Sequence, residues 1–91
     1  MPRYLVERTF HSPVRAGTAA DGSAANHCDK VIRANAREGV TWIHSFVTPD
    51  RRRSFCIVDS PSPEAIRVAA QATALPVDRI TEVRVFDPYF L

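Results

Sequence analysis

The chain has only two cysteines in 91 residues, Cys28 and Cys56. Two thiols cannot make the multi-bridge framework of a small secreted domain. Both read as core positions, so reduced thiols in a cytoplasmic protein are expected. Glycine is also scarce, at Gly17, Gly22 and Gly39 alone. That removes the glycine-rich phosphate loop and the dinucleotide fingerprint. No CxxC pair and no HExxH helix occurs. No apolar run approaches the roughly 20 residues that span a bilayer. The opening "MPRYLVERTF" is broken by Glu7 and Arg8 and does not read as a signal peptide. Neither sign of charge dominates: 12 basic residues against 10 acidic ones leave a formal charge of +2. A charge this weak argues neither for nor against nucleic acid. No membrane is expected, and no nucleic-acid partner given the solvated reading of Arg51, Arg52 and Arg53.

What is present is ordinary globular composition, 45% hydrophobic and 24% charged, enough for one domain over residues 1–91. Such a short chain buries only about 60–65% of its unfolded surface, so the core is modest. Residues 4–10 alternate, with Tyr4, Val6 and Phe10 on one side and Leu5, Glu7 and Thr9 on the other, which predicts a strand. "HSPVRAGTAADGSA" reads as a loop, and Asp21 or Ser23 is placed to cap a helix. Helical spacing follows at Ala24, Cys28, Val31, Ile32 and Asn35, and Gly39 suits the left-handed residue after a last turn. Residues 40–48 and 54–59 are two further strands joined by "TPDRRR". "SPSPEAI" opens a second helix, with Ser62 as N-cap, Pro63 in the first position and Glu64 complementing the dipole. Ala65, Ile66, Ala69, Ala70 and Thr73 give it a small apolar face. Leu75 and Pro76 end it, and residues 80–86 form the last strand.

The order strand, helix, strand, strand, helix, strand predicts an α+β, ferredoxin-like βαββαβ fold with a four-stranded antiparallel sheet. Two helices cover one face of such a sheet. Yet the middle strands are apolar on both sides: Trp42 and Phe46 against Ile43 and Val47, then Phe55 and Ile57 against Cys56 and Val58. A sheet with one wet face alternates cleanly. The uncovered side is therefore expected to meet a second copy, giving a homodimer built as a dimeric α/β barrel. His44, two residues from Trp42 and from Phe46, is expected in line with both on that side. Glu7, Glu82 and Arg84 are expected there too, with Val83 and Val85 under the helices.

The segments "RYLVERTF", "GVTWIHSFVTPDRRRSFCIVDSPSPEAI" and "LPVDRITEVRVFDPYF" resemble a family of small bacterial proteins catalogued as domain of unknown function 4242. That family includes nickel-binding, dimeric ferredoxin-like proteins. The Ala- and Gly-rich stretch 14–25 departs from its pattern. The resemblance implies a dimer and a divalent metal, nickel first. It carries no agreed catalytic residues.

His44 is the leading ligand candidate, with Glu7 and Glu82 as carboxylate partners and His11 as a further surface donor. The rival for His44 is a histidine hydrogen-bonded inside the dimer interface. His27, Cys28 and Asp29 are consecutive on a helix, about 100° apart, and do not share a face. Cys28 reads as core and the other two as solvated. Arg51, Arg52 and Arg53 read as a solvated hairpin tip, lacking an aromatic RNA platform. Thr9, Ser45 and Ser54 show no nucleophile–base spacing. The leading expectation is a cytoplasmic metal-binding dimer that sequesters or senses nickel. One alternative is a small oxygenase- or isomerase-like enzyme, with His44 in a pocket beside Trp42 and Phe46 and Arg84 as anion anchor. Another is a purely structural dimer module. The terminal "DPYFL" is apolar enough to fold over the sheet edge or clasp a partner chain.

Overall fold

Alternation in the first strand organises the sheet. β1 (Arg3–Thr9) buries Tyr4, Val6 and Arg8 and leaves Arg3, Leu5 and Glu7 half-buried. This is the period-two signature of a strand packed on one side only. The computed structural model describes residues 1–12 and 23–89, without the side chains of 23–27. After β1 come α1 (Ser23–Arg37), β2 (Thr41–Val47), β3 (Arg53–Asp59), α2 (Pro63–Ala72) and β4 (Arg79–Val83). The sheet order is β2-β3-β1-β4, with every neighbouring pair antiparallel. This is the predicted α+β, ferredoxin-like arrangement. The expectations for Asp21, for the side chains of Ser23, Ala24 and His27, and for Phe90 and Leu91 lie outside the described residues.

Both helices pack on one side of the sheet. The Ser62 hydroxyl accepts the Ala65 N–H at 3.2 Å, and Pro63 opens α2. One orphan donor is thus satisfied and another never arises. Ile66, Ala69 and Ala70 are buried, and their small size brings α2 close to the strands. α1 buries Val31 and Ala34 and half-buries Cys28, short of the core position expected for that thiol. Ile32, expected on the same stripe, is 53% exposed. Residues 28, 31 and 35 share one face, and Ile32 lies about 100° round the axis from Val31. Val6 is wholly buried in a core with Tyr4, Val40, Cys56, Val58 and Ile66, and Trp42, Val77 and Ile80 pack at its margin.

β4 is shorter than the residues 80–86 predicted. Its last pair with β1 is Val83 with Arg3. Before β1 comes Pro2, whose carbonyl is turned to the β3 side and accepts the Ser60 N–H at 3.0 Å, so it offers β4 no ladder bond. The β1 template stops there, and residues 84–86 leave the sheet.

The two helices end alike. After α1, Val40 N–H bonds the Asn35 carbonyl at 2.9 Å and Gly39 N–H that of Ala36 at 3.1 Å. After α2, Leu75 N–H bonds Ala70 at 2.9 Å and Ala74 N–H bonds Gln71 at 3.2 Å. Both are the paired closure in which one residue turns left-handed. Gly39 does so at φ 71°, and Ala74 is driven to φ 55° despite its Cβ. Ala74→Gly is therefore expected to stabilise the fold by about 1 kcal/mol. In thermal denaturation this reads as a rise of about 4–8 °C for a domain of this size; an unchanged or lower midpoint contradicts it.

Candidate functional site: the uncovered sheet face

Register decides which residues reach the side away from the helices. β2 pairs with β3 as Thr41–Asp59 and Trp42–Val58, then as His44–Ile57 and Phe46–Phe55. One extra β2 residue, Ile43, is absorbed between the two registers. This shift corrects the expected alignment of Trp42 with His44 and Phe46. Trp42 shares the helix side with Val58, and His44 and Phe46 share the open side with Ile57 and Phe55. The indole is held where it is: Trp42 Nε1 donates to Ser45 Oγ at 2.7 Å, and that hydroxyl donates to Cys56 Sγ at 3.1 Å.

Three cross-strand rows make up the open face. Val83, Arg3, Asp59 and Thr41 form the first; Thr81, Leu5, Ile57 and His44 the second; Arg79, Glu7, Phe55 and Phe46 the third. The centre is apolar, and the charges sit around it. Arg3 closes a fork on Asp59, with Nε at 2.8 Å and Nη2 at 3.2 Å from the two carboxylate oxygens. Hydrogen bonding from this guanidinium, then its charge, holds the Asp59 carboxyl below the usual carboxylate range. Arg53 lies 3.6 Å from Glu7 and stacks over Phe55 at 5.0 Å from the ring centre. His44 is exposed on the edge strand, its ring edge-on to Phe46 with centroids 5.1 Å apart.

The four ligand candidates do not meet within one chain. Glu82 pairs with Tyr4, so it lies on the helix side with Ile80, opposite to His44. The expectation that Glu82 and Arg84 join His44, and that Val83 packs under the helices, is thereby corrected. Ile80 takes the place under the helices, Val83 faces the open side, and Arg84 lies beyond the strand end. Glu7 does share the open face with His44, but two strands and one pleat step separate them, roughly 12 Å by strand geometry. His11 is exposed past the end of β1, where its carbonyl accepts Arg52 Nη1 at 2.7 Å. Among the described residues, no group of three His, Cys, Asp or Glu side chains is placed to hold one ion. The described residues of one chain therefore do not offer a complete donor set for a metal.

An open cleft of about 420 Å³ lies at the end of the sheet where β4 stops, lined by Arg3, Asp59, Glu82, Val83, Arg84 and Val85 beside the first two residues. Neither His44 nor Trp42 borders it, so it is not the pocket expected for a His44-based enzyme. The tip arginines are partly committed: Arg52 to His11, Arg53 to Glu7 and Phe55. Arg51 is exposed at φ 58°, in a turn closed by its own N–H on the Thr48 carbonyl at 2.8 Å. The Asp50 carboxylate accepts the Thr48 hydroxyl at 2.6 Å and the Arg52 N–H at 3.0 Å. These bonds, the hydroxyl's above all, lower its pKa. Sequence reading missed the Arg3–Asp59 fork; its one signal is an opposite-charge pair at the outer ends of two strands that become neighbours. Among the described residues, no helix is long and apolar enough to cross a membrane.

Fold and face together define a small α+β protein of ferredoxin-like topology that presents one exposed histidine on an uncovered, largely apolar sheet face. A family model described as "Nickel responsive protein SCO4226-like" matches residues 4–83. The chain belongs to this SCO4226-like family. No curated protein matches it. Among solved structures, the crystal structure of SCO4226 from Streptomyces coelicolor A3(2) is similar, with a TM-score of 0.74 at 14% identity, covering 93% of this chain and 99% of that one. At that identity the likeness speaks for the fold.

The Arg3–Asp59 fork gives a pH dependence with a definite sign. A carboxyl whose pKa is lowered by folding adds stability above its unfolded value and loses it as pH falls through the folded one. The melting-temperature advantage of wild type over Asp59→Asn is expected to be full at pH 7 and to shrink below about pH 4. A constant difference from pH 7 down to acid unfolding contradicts this.

Proposed function

We propose that this chain binds a divalent transition metal, nickel first, as a homodimer joined through the uncovered sheet face, in a sequestering or sensing role. The observation that carries the reading is His44. It is an exposed imidazole at the edge of a face whose centre is apolar, in a chain whose family is described by response to nickel. Imidazole nitrogen with carboxylate oxygen is a donor chemistry that nickel accepts. Because one chain does not assemble three donors among its described residues, the set is completed by water or by a second copy. A two-fold axis doubles every donor on the face, bringing two His44 and two Glu7 side chains to one interface. For Glu7 to ligate, it must leave Arg53, so metal and guanidinium compete for one carboxylate. His11 stands apart and enters only if the β1 exit approaches a partner. Free thiols at Cys28 and Cys56 fit a reducing, cytoplasmic setting.

Nickel titration by calorimetry on wild type and His44→Ala, with the mass in solution recorded alongside, tests this reading. Wild type is expected to bind nickel as a dimer, and His44→Ala to weaken binding at least tenfold, about 1.4 kcal/mol. Wild type that takes up no nickel, or an affinity untouched by His44→Ala, overturns the assignment of His44.

A further inference from the structure

Two exposed apolar strips lie at opposite edges of the sheet. One follows β4: Val85 is 73%, Phe86 73% and Tyr89 91% exposed. The other is the edge strand β2, where Phe46 is 62%, Ile43 41% and Val47 37% exposed. Among the described residues the first strip joins no strand, since the β1–β4 pairing ends at Arg3 and Val83. It is also shaped: the Asp87 carboxylate accepts the Tyr89 N–H at 3.0 Å across Pro88 and turns the chain. A turn already made lowers the ordering cost of docking.

We propose that residues 84–89 form an arm that docks on the β2 edge of a second copy of this chain. The inference rests on the face-to-face dimer proposed above and adds to it the segment that clasps. Area supports an extended apolar contact. Aromatic side chains bury about 150–250 Å² each. Val85, Phe86 and Tyr89 at their observed exposures thus offer on the order of 400 Å², half of the roughly 800 Å² per partner in a standard interface. Geometry selects an identical partner. Face-to-face packing about a two-fold axis along the strands lays β4 of one copy over β2 of the other, so the arm reaches Phe46 on the open side of β2, twice over. Charge agrees on the two central strands, where Arg3–Asp59 and Arg53–Glu7 are paired within each copy, while Arg79 lies out on the edge strand β4. Two such faces meet without forcing unpaired like charges together.

Sedimentation equilibrium on the full chain tests the arm. The samples are wild type, Phe86→Ala/Tyr89→Ala, Phe46→Ala and the triple combination, each checked by circular dichroism for retained fold. All three residues are exposed in the single chain, and Val85→Ser is the second arm variant should the double one fold poorly. Wild type is expected to be a dimer, and the arm variant to raise its dissociation constant at least thirtyfold. The triple variant should lose less than the sum of its parts, because arm and β2 edge are one contact. A dimeric wild type whose dissociation constant the arm variants move by less than threefold overturns the arm and leaves the face-to-face dimer standing. A monomeric wild type overturns both.

Discussion

The antiparallel pairing of β1 with β3 is the constraint on which the rest of the molecule hangs. Seven residue pairs run from Arg3–Asp59 to Thr9–Arg53, and directly opposed residues share a face. Tyr4, Val6 and Arg8 therefore stand with Val58, Cys56 and Ser54, and all six are buried under the helices. Leu5 and Glu7 stand with Ile57 and Phe55 on the other side, away from α1 and α2. A slip by one residue would exchange the two sets and place Glu7 and Arg3 in the core. The Arg3–Asp59 fork sits at one end of this register and the Arg53–Glu7 contact near the other. Each has partners on both strands, so the charges mark the ends of the ladder while the apolar pairs fill its middle.

The second determinant is the extra residue at Ile43. Without it, Trp42, His44 and Phe46 would follow one another on a single face. With it, the indole turns into the margin of the core and bonds Ser45, while the imidazole and Phe46 turn outward. A bulge on an edge strand also raises local twist and discourages edge-to-edge pairing with another sheet. One inserted residue thus separates a packing aromatic from a candidate ligand two positions away.

The fold was largely legible because its signals are local. Ser62 and Pro63 announce α2, Gly39 closes α1, and alternation in residues 4–10 gives β1. The faces of β2 and β4 were less legible, for a common reason. In β2 apolar residues occupy both sides, so either register satisfies burial and hydrophobic pattern is silent about the shift at Ile43. In β4 the choice lay between Ile80 with Glu82 and Thr81 with Val83. Pairing with β1 decided it, and that information resides in another strand. Ile32 is a third case: a stripe one residue too wide was read onto α1, and helix geometry narrows it to Cys28, Val31, Ala34 and Asn35. Of the candidate site, the placement of Glu7 and His44 on one face was readable. The separation between them was not, because it depends on sheet order and register together.

That separation bears on how a metal-responsive protein of this design would behave. On the proposed reading, the described residues of a single chain hold too few converging donors to bind an ion well, and the carboxylates described on the open face are already engaged by arginine. Asp59 is forked by Arg3, and Glu7 faces Arg53. An ion that recruits Glu7 must first displace a guanidinium, which costs part of its binding free energy. The proposed dimer would double the donors and exclude water from the same face, which would strengthen the electrostatics that favour ligation. Metal binding and dimerisation are then two ligation events on one surface, and linkage makes their coupling reciprocal. Whatever factor the dimer adds to metal affinity, the metal returns to dimer affinity. A weak monomer site is thus the feature that would let a change in metal concentration be read as a change in assembly.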